Sequence, residues 1–246
     1  MTHTTAADPR SFDHLPAVFD RFAELVGGPL TDYLTARLPD RGGRAVDLGC
    51  GTGQHAWLLA RVFNQVLAID VSAPMLRYAQ RHRAAGNIVY QQRDLLDVTP
   101  GRDGRFDLVL STHTLHHVPD LAFALEQTRC LVRPGGQAIL IDNVDARRRV
   151  PRRWFRVEAR RALRADLLHH RRSIPEAVEL YRLSTHPGWL DHLTTDVFLP
   201  PGQFRQLYAA VFPGAEFTPM YRTLAMHWRA ASDEGPGPRA PRGRRL

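Results

Sequence analysis

The chain has 246 residues, of which 43% are hydrophobic, and it carries a formal net charge of +8 at pH 7. This length can bury one sizeable core, and α/β folds of this size are often single units. No segment approaches the roughly 18 consecutive apolar residues of a membrane span, and residues 1–10 lack the apolar core of a signal peptide. We therefore expect a cytoplasmic protein that makes no contact with a membrane.

Two residue types bear on the compartment and on the charge. The 2 cysteines, Cys50 and Cys130, fall in a predicted loop and a predicted helix of the core, which argues against a disulfide framework and fits a reducing cytoplasm. All 33 basic residues are arginine, and the chain has no lysine. Because this usage is typical of GC-rich coding, the arginine count overstates selection for a basic surface.

Residues 1–39 are predicted to be helical. Large apolar side chains recur along one face of this segment at helical spacing, namely Phe12, Leu15, Phe19, Phe22 and Leu25. Such a face indicates a helix that packs against another part of the chain.

A glycine-rich turn follows the first predicted strand. A short apolar run ends on Asp47, and glycine then occupies every second position, at Gly49, Gly51 and Gly53. Residues 54–63 are apolar at helical spacing, so the segment reads as a strand, a tight turn and the start of a helix. Glycines let a ligand approach the main chain, and the free N–H groups of a helix start suit an anionic group. The pattern predicts a loop for a nucleotide-type cofactor.

Two kinds of cofactor compete for this loop. The spacing Gly51-x-Gly53-x-x-Ala56 loosely fits the dinucleotide fingerprint. Against that interpretation, Asp47 stands at the strand end, and a carboxylate is a poor neighbour for a diphosphate. The same carboxylate suits a cofactor that carries an ammonium and a sulfonium group.

Four further strand-like runs alternate with helical segments. They are Gln65–Asp70, Asn87–Leu95, Phe106–Ser111 and Arg133–Asp142. Between the first two, Ser72 and Pro74 are typical of a helix cap and a first helical turn. The alternation predicts a parallel sheet covered on both faces, in which ligands bind at the carboxyl ends of the strands. The polar residues at those ends are Asp47, Asp70, Asp94 and Ser111.

Residues 47–142 resemble the core of class I S-adenosylmethionine (SAM) methyltransferases. The closest likeness is to the small-molecule enzymes of ubiquinone and menaquinone biosynthesis. The motifs that carry it are Asp47-x-Gly49-x-Gly51-x-Gly53, Ile69-Asp70-Val71-Ser72 with Met75, Arg93-Asp94-Leu95, His113-Thr114-Leu115-His116-His117-Val118 and Leu131-Val132-Arg133-Pro134-Gly135-Gly136. Five ordered motifs are more specific than one, although they cover only the middle of the chain.

The resemblance implies SAM as the cofactor and a set of residues that bind it. Asp70 would bind both ribose hydroxyls, Val71 and Met75 would flank the adenine, and the glycine turn and the fourth strand end would hold the methionyl portion. Asp94 and Leu95 would address the adenine edge. The full set is Asp47, Gly49, Cys50, Gly51, Gly53, Asp70, Val71, Met75, Asp94, Leu95 and Ser111. In this family a segment like residues 1–39 lies over the cofactor as a lid, and a plain packing helix is the alternative.

We therefore expect a Rossmann-like α/β fold with a doubly wound, mostly parallel sheet of seven strands. A helical insertion after the fifth strand would form a substrate cap. The expected parts are an N-terminal helical lid (1–39), a SAM-binding core (40–142), the cap (143–200), the C-terminal part of the core (201–231) and a disordered tail (232–246). The C-terminal part is predicted as a helix from Pro201 to Val211 and a closing strand pair.

The insertion is expected to select the substrate, because the core motifs serve the cofactor. Its arginines fall on one helical face, at Arg149, Arg153, Arg156, Arg160 and Arg164, and its apolar residues on another, at Phe155, Ala159, Ala162, Leu163 and Leu167. The arginines are either a solvated face or an electropositive wall that attracts an acidic substrate.

Nucleic acid is a third interpretation of the arginines. Base-modifying amino methyltransferases carry Asn/Asp-Pro-Pro-Tyr/Phe after the fourth strand, whereas this chain has Ser111-Thr112-His113-Thr114. Cys130 lies in the middle of a predicted helix, which is a poor position for a pyrimidine nucleophile. We expect a small-molecule substrate rather than nucleic acid, and a homodimer stays open.

Histidines supply the candidate proton acceptors, because the pKa of imidazole lies close to working pH. His113 follows the fourth strand and is the first choice, and His192 in the insertion is the second. The candidate substrate-binding residues are His117, Tyr181 and Trp189. No third ligand at compatible spacing is evident beside the pair His116-His117, so we expect no metal site.

The predicted function is direct transfer of a methyl group from SAM to oxygen, nitrogen or carbon of a small, secondary or specialised metabolite. The sulfonium is already activated, so the protein mainly aligns the acceptor and excludes water. Two alternatives stay open: a protein that binds SAM without methyl transfer, as a cyclase or a binding subunit, and an RNA methyltransferase.

Overall fold

One seven-stranded sheet forms the centre of the molecule. The computed structural model describes residues 10, 13–147 and 149–232. The strands are β1 (Gly42–Leu48), β2 (Phe63–Asp70), β3 (Ile88–Gln92), β4 (Phe106–Thr112), β5 (Val132–Asn143), β6 (Glu216–Met220) and β7 (Thr223–Arg229). Their order in the sheet is β3-β2-β1-β4-β5-β7-β6, and only β7 runs antiparallel to its neighbours. The predicted sheet of seven mostly parallel strands is confirmed.

Helices cover both faces of the sheet. They are α1 (Pro16–Val26), α2 (Gly28–Thr35), α3 (Gln54–Leu59), α4 (Ala73–His82), α5 (Pro100–Asp103), α6 (Leu121–Leu131), α7 (Arg152–His169), α8 (Ile174–Ser184), α9 (Pro187–Thr195) and α10 (Pro201–Val211). No helix of the described residues is long and apolar enough to cross a membrane.

Alternation along the central strands divides the core into two layers. In β4, Val109 packs into the layer under α6 and α10, whereas Leu108 and Leu110 pack into the layer under α2, α3 and α4. All three side chains are fully buried. A parallel sheet covered on both faces requires such continuous apolar strands, which is why their sequence shows no polar alternation.

Helix starts and ends follow local side-chain chemistry. Ser72 caps α4, since its hydroxyl accepts from the Met75 amide at 3.2 Å, as the sequence predicts. The bounds of α10 agree with the predicted helix. Cys130 is exposed, contrary to the expectation that it belongs to the core, because the buried stripe of α6 runs through Ala124, Leu125, Thr128 and Leu131.

Three helices, α7 to α9, fill the insertion after β5 and form a cap over the carboxyl ends of the strands. The cap packs on α1: the Arg21 guanidinium donates to both carboxylate oxygens of Glu179, at 2.9 and 2.8 Å. The Phe22 and Trp189 rings lie 4.4 Å apart. The predictions for Phe12 and for the tail after residue 232 lie outside the described residues.

Asp20 joins α1 to the core. Its carboxylate pairs with Arg83 at 2.7 Å and accepts from Tyr78 Oη and Gln54 Nε2, each at 3.1 Å. The Asp20 side chain is only 6% exposed. Arg83 also donates to the Thr52 carbonyl, so one buried ion pair connects α1 with the glycine turn.

Removal of this carboxylate should destabilise the whole chain. Asp20→Ala leaves the Arg83 charge buried with its main partner gone, and we expect the free energy of unfolding to fall by about 3–5 kcal/mol. Urea denaturation measures the change, and Asp32→Ala, at an exposed position of α2, is the control. Equal stability of the two variants would contradict a central role for Asp20.

Candidate active site

The glycine turn is held by the end of the neighbouring strand. The Gly49 and Cys50 amides both donate to the Ile69 carbonyl, at 2.8 and 2.9 Å, and the Gly51 amide donates to the Asp70 carboxylate at 2.8 Å. These bonds follow from the parallel register of β1 and β2, in which Leu48 pairs with Ile69. The conformation of the glycine turn, the first predicted motif, therefore depends on Ile69 and Asp70 of the second motif.

Glycine is required at two positions of the turn. Gly49 and Gly53 have φ values of +78° and +81°, which favour glycine strongly. A Cβ atom at Gly49 would lie 2.2 Å from Thr114 Oγ1, and one at Gly53 would lie 2.6 Å from Tyr90 Oη. The turn is therefore packed against the loop after β4 and against a side chain of β3, and it is also open to the cavity.

Asp70 presents a carboxylate with spare acceptor capacity. Oδ1 accepts from the Ser72 amide and Oδ2 from the Gly51 amide, each at 2.8 Å, which leaves a second lone pair on each oxygen. Burial raises the pKa of Asp70, although the two amides oppose that rise. The arrangement suits a neutral donor pair such as the two hydroxyls of a ribose.

Asp47 is a fully buried carboxylate without a hydrogen-bond partner. Neither oxygen has a donor in good hydrogen-bond geometry, although the Ala56 amide acts on the group and lowers its pKa slightly, and the side chain does not reach the cavity wall. Burial, and then the nearby negative charge of Asp70, raise the pKa of Asp47 to about 7. Such an orphaned carboxylate beneath the turn is relieved by a positive charge nearby, which fits a cationic cofactor.

A cavity of about 1330 Å³ lies between the glycine turn and the cap. This exceeds the volume of about 300–1,000 Å³ that a single ligand site usually has, so it accommodates a cofactor together with a second molecule. The predicted cofactor residues at its wall are Gly49, Cys50, Gly51, Asp70, Val71, Met75, Asp94 and Leu95.

Three residues of the predicted set do not reach that wall: Asp47, Gly53 and Ser111. The Ser111 hydroxyl donates to the Leu48 carbonyl at 2.9 Å and so ties β4 to β1. Its role in the structure is to support the turn from behind. His55, in the first turn of α3, also lines the cavity, although no motif of the sequence singled it out.

The cap presents an apolar face to the cavity. Trp154, Phe155 and Ala159 of α7 line it, whereas the five predicted arginines do not. Arg149, Arg153, Arg156, Arg160 and Arg164 are all exposed. The electropositive wall is therefore not built by these residues, because the helix turns its apolar stripe inwards, and they form the solvated face.

An aromatic residue of the cap meets α1 at the same wall. Trp189 lines the cavity beside Phe19 and Phe22. Tyr181 does not line it, because α8 turns Leu180 and Ser184 towards the cavity instead.

The loop after β4 brings histidines to the cavity. His113 has a left-handed backbone (φ +53°), and its amide donates to the Ile141 carbonyl, which aims the loop across the strand ends. His113, His116 and His117 line the cavity, and so does His192 from the cap. Both candidate proton acceptors, His113 and His192, thus line the same cavity.

Two carboxylates accompany these histidines. Asp142, at the end of β5, accepts from the His116 amide at 2.9 Å and lies 2.5 Å from its Nδ1. Asp196 Oδ2 lies 3.4 Å from His192 Nε2 and 3.8 Å from His116 Nε2. Sequence reasoning assigned neither acid a role, although Asp142 ends a predicted strand and Asp196 is one helical turn past His192.

Burial and neighbouring charges act on the pKa values of the three histidines of the loop after β4. Burial lowers the pKa of His113, and burial followed by the neighbouring His116 lowers the pKa of His117 to about 4. Burial also acts on His116, but the Asp142 and Asp196 charges outweigh it, so the net shift of the His116 pKa is upwards. His113 and His117 are therefore neutral at pH 7 and can accept a proton or a Lewis acid.

Comparison with known proteins identifies the core. Residues 46–140 match the family described as "Methyltransferase domain". These residues form a class I SAM-dependent methyltransferase domain. The matched segment begins at Val46 in β1 and ends at Leu140 in β5. The methyltransferase domain therefore contains the glycine turn, Asp70, Asp94 and the loop after β4 that carries the histidines.

Relatives of the methyltransferase domain carry methyltransferase names. The chain is 33% identical over 111 residues to the ubiquinone biosynthesis O-methyltransferase of Xanthomonas oryzae, which is 44% of this chain and 46% of that protein. It is 32% identical over 148 residues to the protein of the same name from Albidiferax ferrireducens, covering 55% and 59%. The chain thus matches only about half the length of these curated relatives.

A solved structure extends the likeness of the fold beyond the matched segment. The DhpI–S-adenosylhomocysteine complex superposes with a TM-score of 0.56 at 22% identity, covering 95% of this chain and all of the other. The likeness of the fold therefore extends to residues outside the segment 46–140.

The buried Asp47 should make the stability of the unliganded protein fall as pH rises. The folded state holds a proton on Asp47 up to about pH 7, whereas the unfolded chain releases it near pH 4, so the folded state binds more protons in between. We expect a loss of roughly 2–3 kcal/mol in the free energy of unfolding between about pH 5 and about pH 8 from this group.

Asp47→Asn should remove that loss while Asp70 continues to titrate. Urea denaturation of the wild type and the variant at both pH values measures it. The difference in stability between the two should move in favour of the variant at the higher pH. A difference that does not change with pH would mean that Asp47 is ionised throughout.

Proposed function

We propose that this chain is an enzyme that transfers a methyl group from SAM to a small molecule held under the cap. One observation carries the proposal: a single cavity runs from Asp70 and the glycine turn to the aromatic face of the cap. The methyltransferase domain accounts for the first end of the cavity. The second end offers an enclosed apolar site for an acceptor.

The cofactor would lie along the strand ends. We assign the ribose hydroxyls to Asp70, whose oxygens each keep a free lone pair, and the adenine to the space between Val71 and Met75. Asp94 would meet the adenine edge, although its Oδ1 already accepts from the Leu96 amide at 2.9 Å. The backbone of the glycine turn would hold the methionyl portion, with the Asp47 charge beneath it.

The acceptor would lie against Trp189, Phe155 and the histidine loop. The relatives are named O-methyltransferases, which favours oxygen over nitrogen or carbon as the acceptor atom. The exposed arginines of α7 take no part, so recognition would rest on apolar contact and on the few polar groups of the wall. A secondary or specialised metabolite with an aromatic part suits such a wall.

The reaction would be a direct displacement. An acceptor oxygen attacks the methyl carbon, the carbon–sulfur bond breaks, and its electron pair stays on sulfur, which yields S-adenosylhomocysteine. The hydroxyl proton goes to a base, for which we propose His113 and, second, His192. Phe19, Phe22 and Trp189 would exclude water and hold the acceptor in line.

Incubation with methyl-labelled SAM and an extract of the cells that the gene comes from tests the activity. A labelled small molecule supports the proposal. SAM that stays bound without transfer to any fraction indicates a cyclase or a binding subunit, and label in RNA indicates an RNA methyltransferase. That the protein is cytoplasmic remains a prediction, and so does the possibility that it forms a homodimer.

Asp70→Ala should lower SAM affinity about 100-fold or more, because each of two charge-assisted hydrogen bonds to the ribose is worth roughly 1.5–3 kcal/mol. Calorimetry measures the affinity, circular dichroism checks the fold, and Asp40→Ala at an exposed position is the control. Normal SAM binding by the variant, or tighter binding of NAD than of SAM by the wild type, would overturn the cofactor assignment.

His113→Ala should lower the single-turnover rate by about 10²–10⁴-fold if His113 is the base, with SAM affinity unchanged. His192→Ala is compared in the same assay on the labelled acceptor fraction. The double variant Arg156→Ala with Arg160→Ala is the control, since these exposed side chains should change neither quantity. If both histidine variants keep the full rate, proximity alone drives the transfer and no histidine base is needed.

A further inference from the structure

Three side chains with metal-binding atoms converge at the floor of the cavity. One nitrogen each of His116 and His117 and one carboxylate oxygen of Asp196 all lie within 4.8 Å of one another. His192 stands beside them, with Nε2 3.4 Å from Asp196 Oδ2. The residues come from the loop after β4 and from the end of α9, so only the closure of the cap over the strand ends brings them together.

Each of the three side chains carries a buried polar atom without a hydrogen-bond partner. These atoms are His116 Nε2, His117 Nδ1 and Asp196 Oδ1, and the side chains of His116 and Asp196 are 4% and 1% exposed. The other carboxylate oxygen, Asp196 Oδ2, faces His116 Nε2 and also lies 3.4 Å from His192 Nε2. A buried polar atom that is left unpaired costs about 1–3 kcal/mol. Three such atoms close together indicate that a bound ligand supplies the partners they lack.

Asp142 selects the form of His116 that a metal requires. It accepts from the His116 amide and holds Nδ1 at 2.5 Å, so that Nδ1 carries the proton and the Nε2 lone pair points towards Asp196. Two acceptors then face each other at 3.8 Å, too far for a hydrogen bond. A carboxylate that orients a histidine in this way is the usual support of a metal ligand.

We propose that His116, His117 and Asp196 bind one divalent transition-metal ion. Imidazole nitrogens with one carboxylate suit Zn²⁺ and similar ions, and exclude Mg²⁺, which prefers oxygen ligands. Ligand atoms around a tetrahedral zinc ion lie about 3.4 Å apart, so side-chain movement of the order of 1 Å closes the site. The rival occupant is a second proton on His116, shared between the two carboxylates.

Three protein ligands leave a coordination position open towards the cavity. Both His116 and His117 line the acceptor end, on the loop whose Thr114 hydroxyl donates to the Gly49 carbonyl at 3.3 Å. An oxygen atom of the acceptor would occupy that position, and the ion would stabilise its negative charge. This assignment of an oxygen-donor acceptor rests on the proposed function, whereas metal binding does not.

Titration of the chelator-stripped full chain with Zn²⁺, without SAM or acceptor, tests the site. We expect about one ion per chain, and Co²⁺ should show the intense visible bands of a tetrahedral centre. Asp196→Asn and His117→Ala should each lower Zn²⁺ affinity more than about 100-fold, and Asp142→Asn, which removes only the support of His116, about 10–100-fold.

Two control variants test whether a loss of Zn²⁺ affinity is specific to the proposed site. Asp191→Asn changes an exposed acid of the same helix, and His82→Ala changes an exposed histidine of α4, and both should bind Zn²⁺ as the wild type does. Thermal unfolding confirms that each variant folds. The proposal is overturned if Asp196→Asn and the wild type bind Zn²⁺ equally, or if Co²⁺ keeps the weak spectrum of its aqua ion, and His116 then holds the second proton.

SAM titration of the same preparations separates this proposal from the proposed function. Zn²⁺ binding without SAM binding would support the metal site and overturn the proposed methyltransferase function. SAM binding without Zn²⁺ binding would support the proposed function and overturn the metal site. Asp196→Asn should leave SAM affinity unchanged, since Asp196 lies in the cap and not in the methyltransferase domain.

Discussion

The parallel register of β1 and β2 is the constraint on which the candidate site depends. It places the Ile69 carbonyl and the Asp70 carboxylate under the glycine turn, where they accept from three successive amides, at Gly49, Cys50 and Gly51. A shift of one residue would turn the Asp70 side chain to the other face of the sheet. The turn, the proposed ribose site and the mouth of the cavity are thus consequences of one strand pairing.

The same turn is coupled to α1. Arg83 holds the Thr52 carbonyl with one nitrogen and the Asp20 carboxylate with both, so α1 cannot leave the core without breaking a buried ion pair. The contact of α1 with the cap is more exposed, because Arg21 and Glu179 are each about two-fifths accessible. Exposed pairs contribute little. Opening of the cavity would therefore separate the cap from α1 more readily than α1 from the core.

Periodicity and turn chemistry predicted the sheet, the glycine turn and the helix at Ser72, because each depends on residues close together in sequence. The residues expected around the cofactor came instead from the family resemblance. Contacts between distant segments could not be read in this way. Asp196 meets His116 only after the cap folds over β4, and the inward face of α7 depends on what lies beneath it. Neither the contact between Asp196 and His116 nor the exposure of the arginines was therefore evident. Cys130 looked buried for the same reason: helix propensity does not say which stripe faces the sheet.

Two carboxylates that lack full pairing lie near opposite ends of the cavity. Asp47 stands beneath the glycine turn, and Asp196 stands at the end of α9 in the cap. Each raises the free energy of the unliganded fold, and each would be relieved by a positive charge, on the sulfonium of the cofactor at one end and on the proposed metal ion at the other. Burial of the extensive apolar layers on both faces of the sheet offsets the cost of these two carboxylates. Binding at either end should therefore stabilise the fold by neutralising its own carboxylate, and the two effects should add because the sites share no ligand.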